Sequence, residues 1–329
     1  MEKTLVQNIG LLCTPLGSSV HAGEMQGQMG KTPEACVLME DGIITYAGSQ
    51  ADFPMEKAQG AQVIDAKGSL VTPGLIDAHT HLVFGGWRQH EIPLKLAGAG
   101  YLDILRMGGG ILSTVRHTRE ASEEELLQRS EGFLNEMLSM GVTSCEIKSG
   151  YGLDLGNELK QLRVIKKLQE THPMDIDATF LGAHAVPEEY KDDPDGFVDL
   201  LVEKILPAVA EEKLARCCDV FCETGAFDVP QSRKVLMAGK ALGLVPRIHA
   251  DEIDAIGGAE LSAEVGALSA EHLIASNEEG MQAMAKGGVI ADLLPATSFY
   301  LDKTFAPARR MVELGIPVVI ASDFNQIGR

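Results

Sequence analysis

From about residue 70 onward, short apolar runs rich in β-branched residues alternate with stretches whose apolar positions recur every three to four residues. That rhythm is the mark of successive parallel βα units. It predicts strands over 70–79, 142–148, 176–184, 217–223, 244–250, 267–273, 289–294 and 316–322. A helix over 122–140 opens on Ser122-Glu123-Glu124-Glu125, a capping box, and stops at Gly141. Another, over 276–286, opens on Ser276-Asn277-Glu278-Glu279 and stops before Gly287-Gly288. Eight strands with interleaved helices predict an α/β fold, a (β/α)8 TIM-type barrel, whose functional groups gather at the C-terminal ends of the strands.

The first 69 residues follow a different pattern. VQNIGLLCT, EACVLMEDGIITYAG and AQVIDAKG read as short strands, with Asp41-Gly42 as a hairpin turn and residues 15–34 as a Gly-rich polar loop. Residues 1–69 are therefore expected to form part of a small β-sandwich-like domain, and residues 70–329 the barrel. Gly108-Gly109-Gly110 has no preceding strand and no Lys-Ser/Thr after it, so it reads as a flexible active-site loop and not as a phosphate loop.

Composition narrows the function classes. Hydrophobic residues make up 45% of the chain, ample for a core, and no uninterrupted apolar stretch reaches the length of a membrane span. Forty-seven acidic residues against 28 basic ones leave a formal net charge of −19. Phosphate-rich partners would be repelled, which argues against nucleic acid and anionic membranes. Any anionic substrate then needs a local basic group. The start, MEKTLVQNIG, lacks the apolar region of an export signal, and six irregularly spaced cysteines suit reduced thiols in a cytoplasm.

Candidate chemistry sits at the strand ends. Side chains alternate faces along a strand, so His79 and His81 in IDAHTHLV point the same way, side by side. Two imidazoles held in this way form half of a tetrahedral metal site, which a third His and a carboxylate would complete. His249, in PRIHADE, and Asp323, after VVIAS, stand at other strand ends. Each residue has a plainer reading, the histidines as structural hydrogen-bonders and Asp323 as a turn cap. Their common placement favours metal-dependent hydrolysis, with Glu252 three residues beyond His249 and His272 closing the next strand. Cys217, Cys218 and Cys222 share one strand without C-x-x-C spacing and read as small core residues.

PGLIDAHTH, HADE, SAEHL and SDFN together resemble the amidohydrolase superfamily of metal-dependent hydrolases. Longer segments are similar to one branch of it, the imidazolonepropionase family: HTHLVFGGWRQHE, EIKSGYGL, TFLGAHAVPEEYKD, DVFCETGAF, HADEIDAIGGAELSAEVGALSAEHL and LLPATSFYL. The resemblance runs from about residue 35 to 325. It implies hydrolysis of the cyclic amide of 4-imidazolone-5-propanoate to N-formimidoyl-L-glutamate, the third step of histidine degradation, with one zinc or iron ion per chain and homodimeric assembly. Carried over residue by residue, it implies His79, His81, His249 and Asp323 as metal ligands and Glu252, His272 and Asp323 as catalytic groups. Substrate contacts would come from Arg88, Tyr151, His184, Glu252 and Asn325. The anionic tail of such a substrate suits the guanidinium fork of Arg88, reinforced by the Tyr151 hydroxyl.

Binuclear relatives bridge two metals with a carboxylated lysine on the fourth strand. Here that strand, CCDVFCETG, has none, which favours a single ion; Lys148, on the second strand, reads as structural. In the family the chain continues past the last strand through a Pro-Gly-Ser type turn that touches substrate, then further helices and strands. This sequence ends on Gln326-Ile327-Gly328-Arg329, so the resemblance implies a C-terminally shortened chain. Two other readings use the same residues. One is deamination of an aromatic base, against which Arg88 and Tyr151 speak. The other is an inactive chain with only a binding or assembly role.

Overall fold

The computed structural model describes residues 2–98, 109–301 and 304–326. Gly108 of the glycine triplet and Ile327-Gly328-Arg329 of the chain end lie outside the described residues. The chain divides into two compact units, Met1–Gly74 and Leu75–Arg329.

In the first unit, β1 (Lys3–Thr14), β2 (Gly30–Glu40), β3 (Ile43–Ser49), β4 (Gln62–Asp65) and β5 (Leu70–Val71) form one sheet in the order β3-β2-β1-β4, with β5 also on β1. Asp41 and Gly42 both take positive φ, 49° and 79°, the twist that a two-residue hairpin turn requires. The polar loop is shorter than its composition suggests, because β2 already begins at Gly30, paired with Thr14. A register shift between Val6 and Ile9, where Asn8 has φ 57°, interrupts the alternation of β1. Leu5 therefore packs with Cys36, Leu38 and Phe53, while Ile9 packs with Leu12, Ala35 and Val37 in a separate cluster.

The second unit holds eight parallel strands: β6 (Leu75–Asp77), β7 (Val142–Lys148), β8 (Asp175–Ala183), β9 (Cys217–Cys222), β10 (Val245–Ala250), β11 (Ser269–His272), β12 (Ile290–Leu293) and β13 (Val318–Ile320). Each pairs with its sequence neighbour, the order that βα units produce. One expected strand divides. Pro73 has no N–H to give a ladder and Gly74 follows it, so the run over 70–79 breaks into β5 and a short β6. The ring closes beyond the named strands. The Asp323 amide donates to the His79 carbonyl (3.1 Å), the His81 amide donates to the Phe324 carbonyl (2.8 Å), and the Ser322 amide donates to Asp77 Oδ1 (3.1 Å). Closure thus runs through the segments that carry the expected ligands.

The helix Glu123–Ser139 starts on Ser122 with both halves of its capping box formed, and Glu278–Gly287 starts on Asn277, whose side chain accepts from the Gly280 amide. Ile147, Phe180, Val220, Ile248 and Ala270 belong to the buried apolar core. Between them in sequence stand Glu146, Lys148, Asp219, Arg247, His249 and Glu271, also buried. Several of these reach one another across non-adjacent strands, so the barrel interior is charged where barrels are usually filled by branched apolar side chains. All six cysteines are buried and unpaired. Among the described residues no helix is long and apolar enough to cross a membrane.

Candidate metal centre

Four strand-end side chains come close to one another. The Nε2 atoms of His79 and His81 are 3.2 Å apart, and His81 Nε2 is 3.4 Å from His249 Nε2. Asp323 Oδ1 lies 3.5 Å from His79 Nε2 and 3.4 Å from His81 Nε2. A tetrahedron with metal–ligand distances of about 2.05 Å has edges of about 3.3 Å, so His79, His81 and Asp323 stand as three donors around one ion would, with His249 next to His81. All four residues are buried. Three imidazole nitrogens this close repel through their lone pairs unless protons or a cation stand among them. His81 Nδ1, buried as well, finds no hydrogen-bond partner among the described residues.

The outer nitrogens of two rings face carboxylates. His79 Nδ1 lies 2.7 Å from Glu271 Oε2, and His249 Nδ1 lies 3.0 Å from Asp219 Oδ2. Both contacts are short but poorly aligned as hydrogen bonds. A carboxylate at Nδ1 nonetheless favours the tautomer whose lone pair sits on Nε2, the form that ligates metal. Burial holds His79, His81 and His272 well below the ordinary imidazole range, so they are neutral. Burial pulls His249 the same way, but Asp219 and Glu271 outweigh it and its pKa is raised, so a metal there would have to displace a proton. Burial also pushes the Asp323 carboxyl up to about 6, against the hydrogen bond its Oδ2 accepts from the Thr297 hydroxyl.

Non-glycine residues take left-handed backbone just where the site is built: Asp251 (φ 52°), His272 (69°), Leu273 (57°) and Asp323 (53°). Each such residue costs roughly 1–3 kcal/mol and persists only where its surroundings over-determine it. Here the Ala275 amide donates to the Asp251 carbonyl (2.7 Å) and the Leu273 amide to the Ala250 carbonyl (3.1 Å).

Most of the remaining expected residues stand beside this cluster. His184 stacks on His81 with centroids 4.9 Å apart and planes 16° apart, and its Nδ1 is 3.1 Å from the Gly150 carbonyl. Burial takes its pKa to about 3, so it is a neutral donor at Nδ1 with a lone pair on Nε2. The Tyr151 ring lies 5.3 Å from His184 and 5.8 Å from His81, and burial raises its phenol pKa. Glu252 Oε1 is 3.8 Å from His272 Nδ1, and Asn325 Nδ2 donates to the Asp323 carbonyl at 2.8 Å. Arg88 is buried, and one edge of its fork is taken. Its Nε and Nη2 donate to Glu91 at 2.9 and 2.8 Å, and Glu91 Oε1 also accepts from the Gly110 amide at 2.7 Å.

Several supporting groups escape the sequence reading. They are Asp219 and Glu271 behind the rings of His249 and His79, Thr297 on Asp323, Glu91 on Arg88 and Glu223 on the loop after β10. The signal for the first two was present: single ionisable residues at alternate positions of apolar strands, as in CEIK, CCDVF and SAEH. Lys148 and Arg247 carry the same signal.

Residues 62–99 match the amidohydrolase family model. The chain is 50% identical over 334 residues to the imidazolonepropionase of Alkaliphilus metalliredigens, covering 99% of this chain and 78% of that protein. It is 49% identical to that of Geobacillus kaustophilus, covering 99% and 78%, and 47% identical to that of Porphyromonas gingivalis, covering 97% and 76%. Among solved structures, the guanine deaminase of C. acetobutylicum superposes with a TM-score of 0.66 at 14% identity, over 98% of this chain and 74% of that one. An atrazine chlorohydrolase of Arthrobacter aurescens, complexed with zinc, superposes with a TM-score of 0.65 at 14% identity, over 98% and 72%. At such identities the structural likeness speaks for the fold alone.

Proposed function

The chain belongs to the imidazolonepropionase family of amidohydrolases, hydrolases of histidine degradation, and on that premise we propose that it opens the ring of 4-imidazolone-5-propanoate around one zinc or iron ion held by His79, His81, His249 and Asp323. The observation that carries this reading is the cluster of His79, His81 and Asp323 donor atoms at 3.2–3.5 Å separations, with His249 Nε2 3.4 Å from His81 Nε2. Such an ion is a Lewis acid that lowers the pKa of water from about 16 to about 7 and polarises a carbonyl.

The protein groups then have distinct tasks. Water oxygen adds to the ring carbonyl carbon, and Asp323 accepts the proton that water gives up. Neutral His272 donates to the oxyanion that forms as the carbonyl carbon becomes tetrahedral; losing a donor of that kind costs about 3 kcal/mol. The carbon–nitrogen bond breaks as the proton given up by water reaches the leaving ring nitrogen through Glu252, which yields N-formimidoyl-L-glutamate. His184, donating from Nδ1 to Gly150, keeps Nε2 as an acceptor for a ring N–H. The edge of the Arg88 fork that does not face Glu91 and the Tyr151 hydroxyl receive the propanoate, and Asn325 contacts substrate beside Asp323. The net charge of −19 supports a small molecule in place of nucleic acid as the partner, and buried unpaired cysteines support a reducing, cytoplasmic setting.

The test is turnover of 4-imidazolone-5-propanoate, with elemental analysis of the same sample. Protein that carries one equivalent of zinc or iron, leaves this substrate intact and releases ammonia from free aromatic bases would reverse the assignment in favour of deamination.

A further inference from the structure

Lys148 is fully buried. Its ammonium donates to Asp219 Oδ2 at 2.8 Å and to Glu146 Oε1 at 2.9 Å, and pairs by charge with Glu271 Oε2 at 2.9 Å. Two of those oxygens are shared. Glu271 Oε2 is also 2.7 Å from His79 Nδ1 and 3.4 Å from His249 Nδ1, and Asp219 Oδ2 is 3.0 Å from His249 Nδ1. The ammonium and the outer edges of two ligand rings therefore meet at the same pair of atoms. Arg247 Nε takes the other Glu271 oxygen at 2.6 Å, so neither carboxylate oxygen of Glu271 can swing away.

Asp219, His249 and Glu271 make, by themselves, a donor set able to hold a divalent cation. Lys148 Nζ stands against it. We propose that Lys148 is the resident cation of a built-in second site. Its tethered ammonium keeps a second divalent ion out of the Asp219–Glu271–His249 donor set. It also holds both carboxylates against the rings of His79 and His249, so that the ligand nitrogens on the far side are presented for one tightly held ion. Lys148 touches neither substrate nor metal ligand atom in this scheme; it is a positioning residue acting through Asp219 and Glu271. A purely structural ion network would stabilise the barrel but leave metal number and affinity alone.

The inference rests on the metal centre proposed above, and the unaltered chain tests that centre separately. Metal content is measured after dialysis against excess zinc, and zinc affinity by competition with a chelator, on the full chain and on Lys148→Ala and Lys148→Met, with circular dichroism confirming the fold. The unaltered chain should hold one ion. Lys148→Ala vacates the pocket and should take a second. Lys148→Met fills the space without charge and should hold one ion about 10–100-fold more weakly, the usual loss when the support of a ligand histidine is removed. Both variants holding one ion at unaltered affinity would overturn the proposal, as would two ions in the unaltered chain. An unaltered chain that binds none refutes the metal centre itself. Where the single variants do not fold, Lys148→Met/Glu146→Gln removes one buried charge of each sign and leaves Asp219 and Glu271 in place. That pair should show the same 10–100-fold loss, and unaltered affinity in the folded pair would again overturn the assignment.

Discussion

Replacing Glu223 with Gln should slow turnover without releasing metal. Glu223 is buried, and its two oxygens hold the loop after β10. Oε1 accepts from the amides of Thr224 (2.7 Å) and Asp254 (3.2 Å), and Oε2 accepts from the amide of Ile253 (2.8 Å). Glu252 stands immediately before the clamped amides, on a loop that begins with the left-handed Asp251. Gln keeps the volume but turns one oxygen into an NH2. The orientation that loses least keeps the carbonyl on Thr224 and Asp254, and then the NH2 faces the Ile253 amide, donor against donor. A hydrogen bond to a charged group contributes about 1.5–3 kcal/mol and an unpaired buried donor costs about 1–3 kcal/mol; the two overlap, so a destabilisation of about 2–4 kcal/mol is expected. A catalytic group displaced by about 1 Å loses up to ~10²-fold in rate. The assays are urea denaturation, kcat and metal content on one preparation. Expected are a lower denaturation midpoint, kcat down 10–100-fold by that displacement argument, and metal unchanged. If stability falls and kcat does not, the clamp serves the fold and not Glu252. If neither moves, the loop is held by other contacts and the reasoning fails.

His249→Ala should bind neither zinc nor iron stoichiometrically and should lose hydrolysis, because three donors leave the site open; full metal content in a folded variant would remove His249 from the ligand set. Arg88→Ala should weaken substrates that carry the propanoate by about 2–5 kcal/mol more than an imidazolone lacking it. Because the same change strands Glu91, only the difference between the two substrates is diagnostic, and equal losses would show that Arg88 merely ties Glu91 and Gly110 together. Stripping the ion with a chelator should lower the melting temperature and readdition should restore it, since ligand at a thousandfold over its Kd stabilises by about 4 kcal/mol. Coincident melting curves with and without metal would mean that the cluster does not bind it.

Much of the barrel was legible along the chain because the signals are local. A strand buried on both faces must be a short apolar run, and the helix that returns the chain must be amphipathic, so the eight runs announce themselves. His79 and His81 share a face by the two-residue alternation of an extended backbone. Asp41-Gly42 suits the left-handed angles of a tight hairpin, and Ser122 with Glu125 caps a helix from three residues away. The one strand that divided, at Pro73, was a local signal outweighed by the apolar residues on both sides of it. What sequence could not decide was who meets whom across the barrel. Lys148 lies 71 residues from Asp219, and His249 lies 168 residues from His81. Lys148 was legible only as a structural residue, because nothing near it in the chain names Asp219 and Glu271 as its partners. Arg88 shows the same limit at short range: its pairing with Glu91 depends on the turn between them and on the Gly110 amide arriving from elsewhere. Alternation along one strand tells which side chains point inward. The stagger of eight strands on closure sets which inward groups share a level, and that stagger depends on packing and hydrogen bonds between segments far apart in sequence.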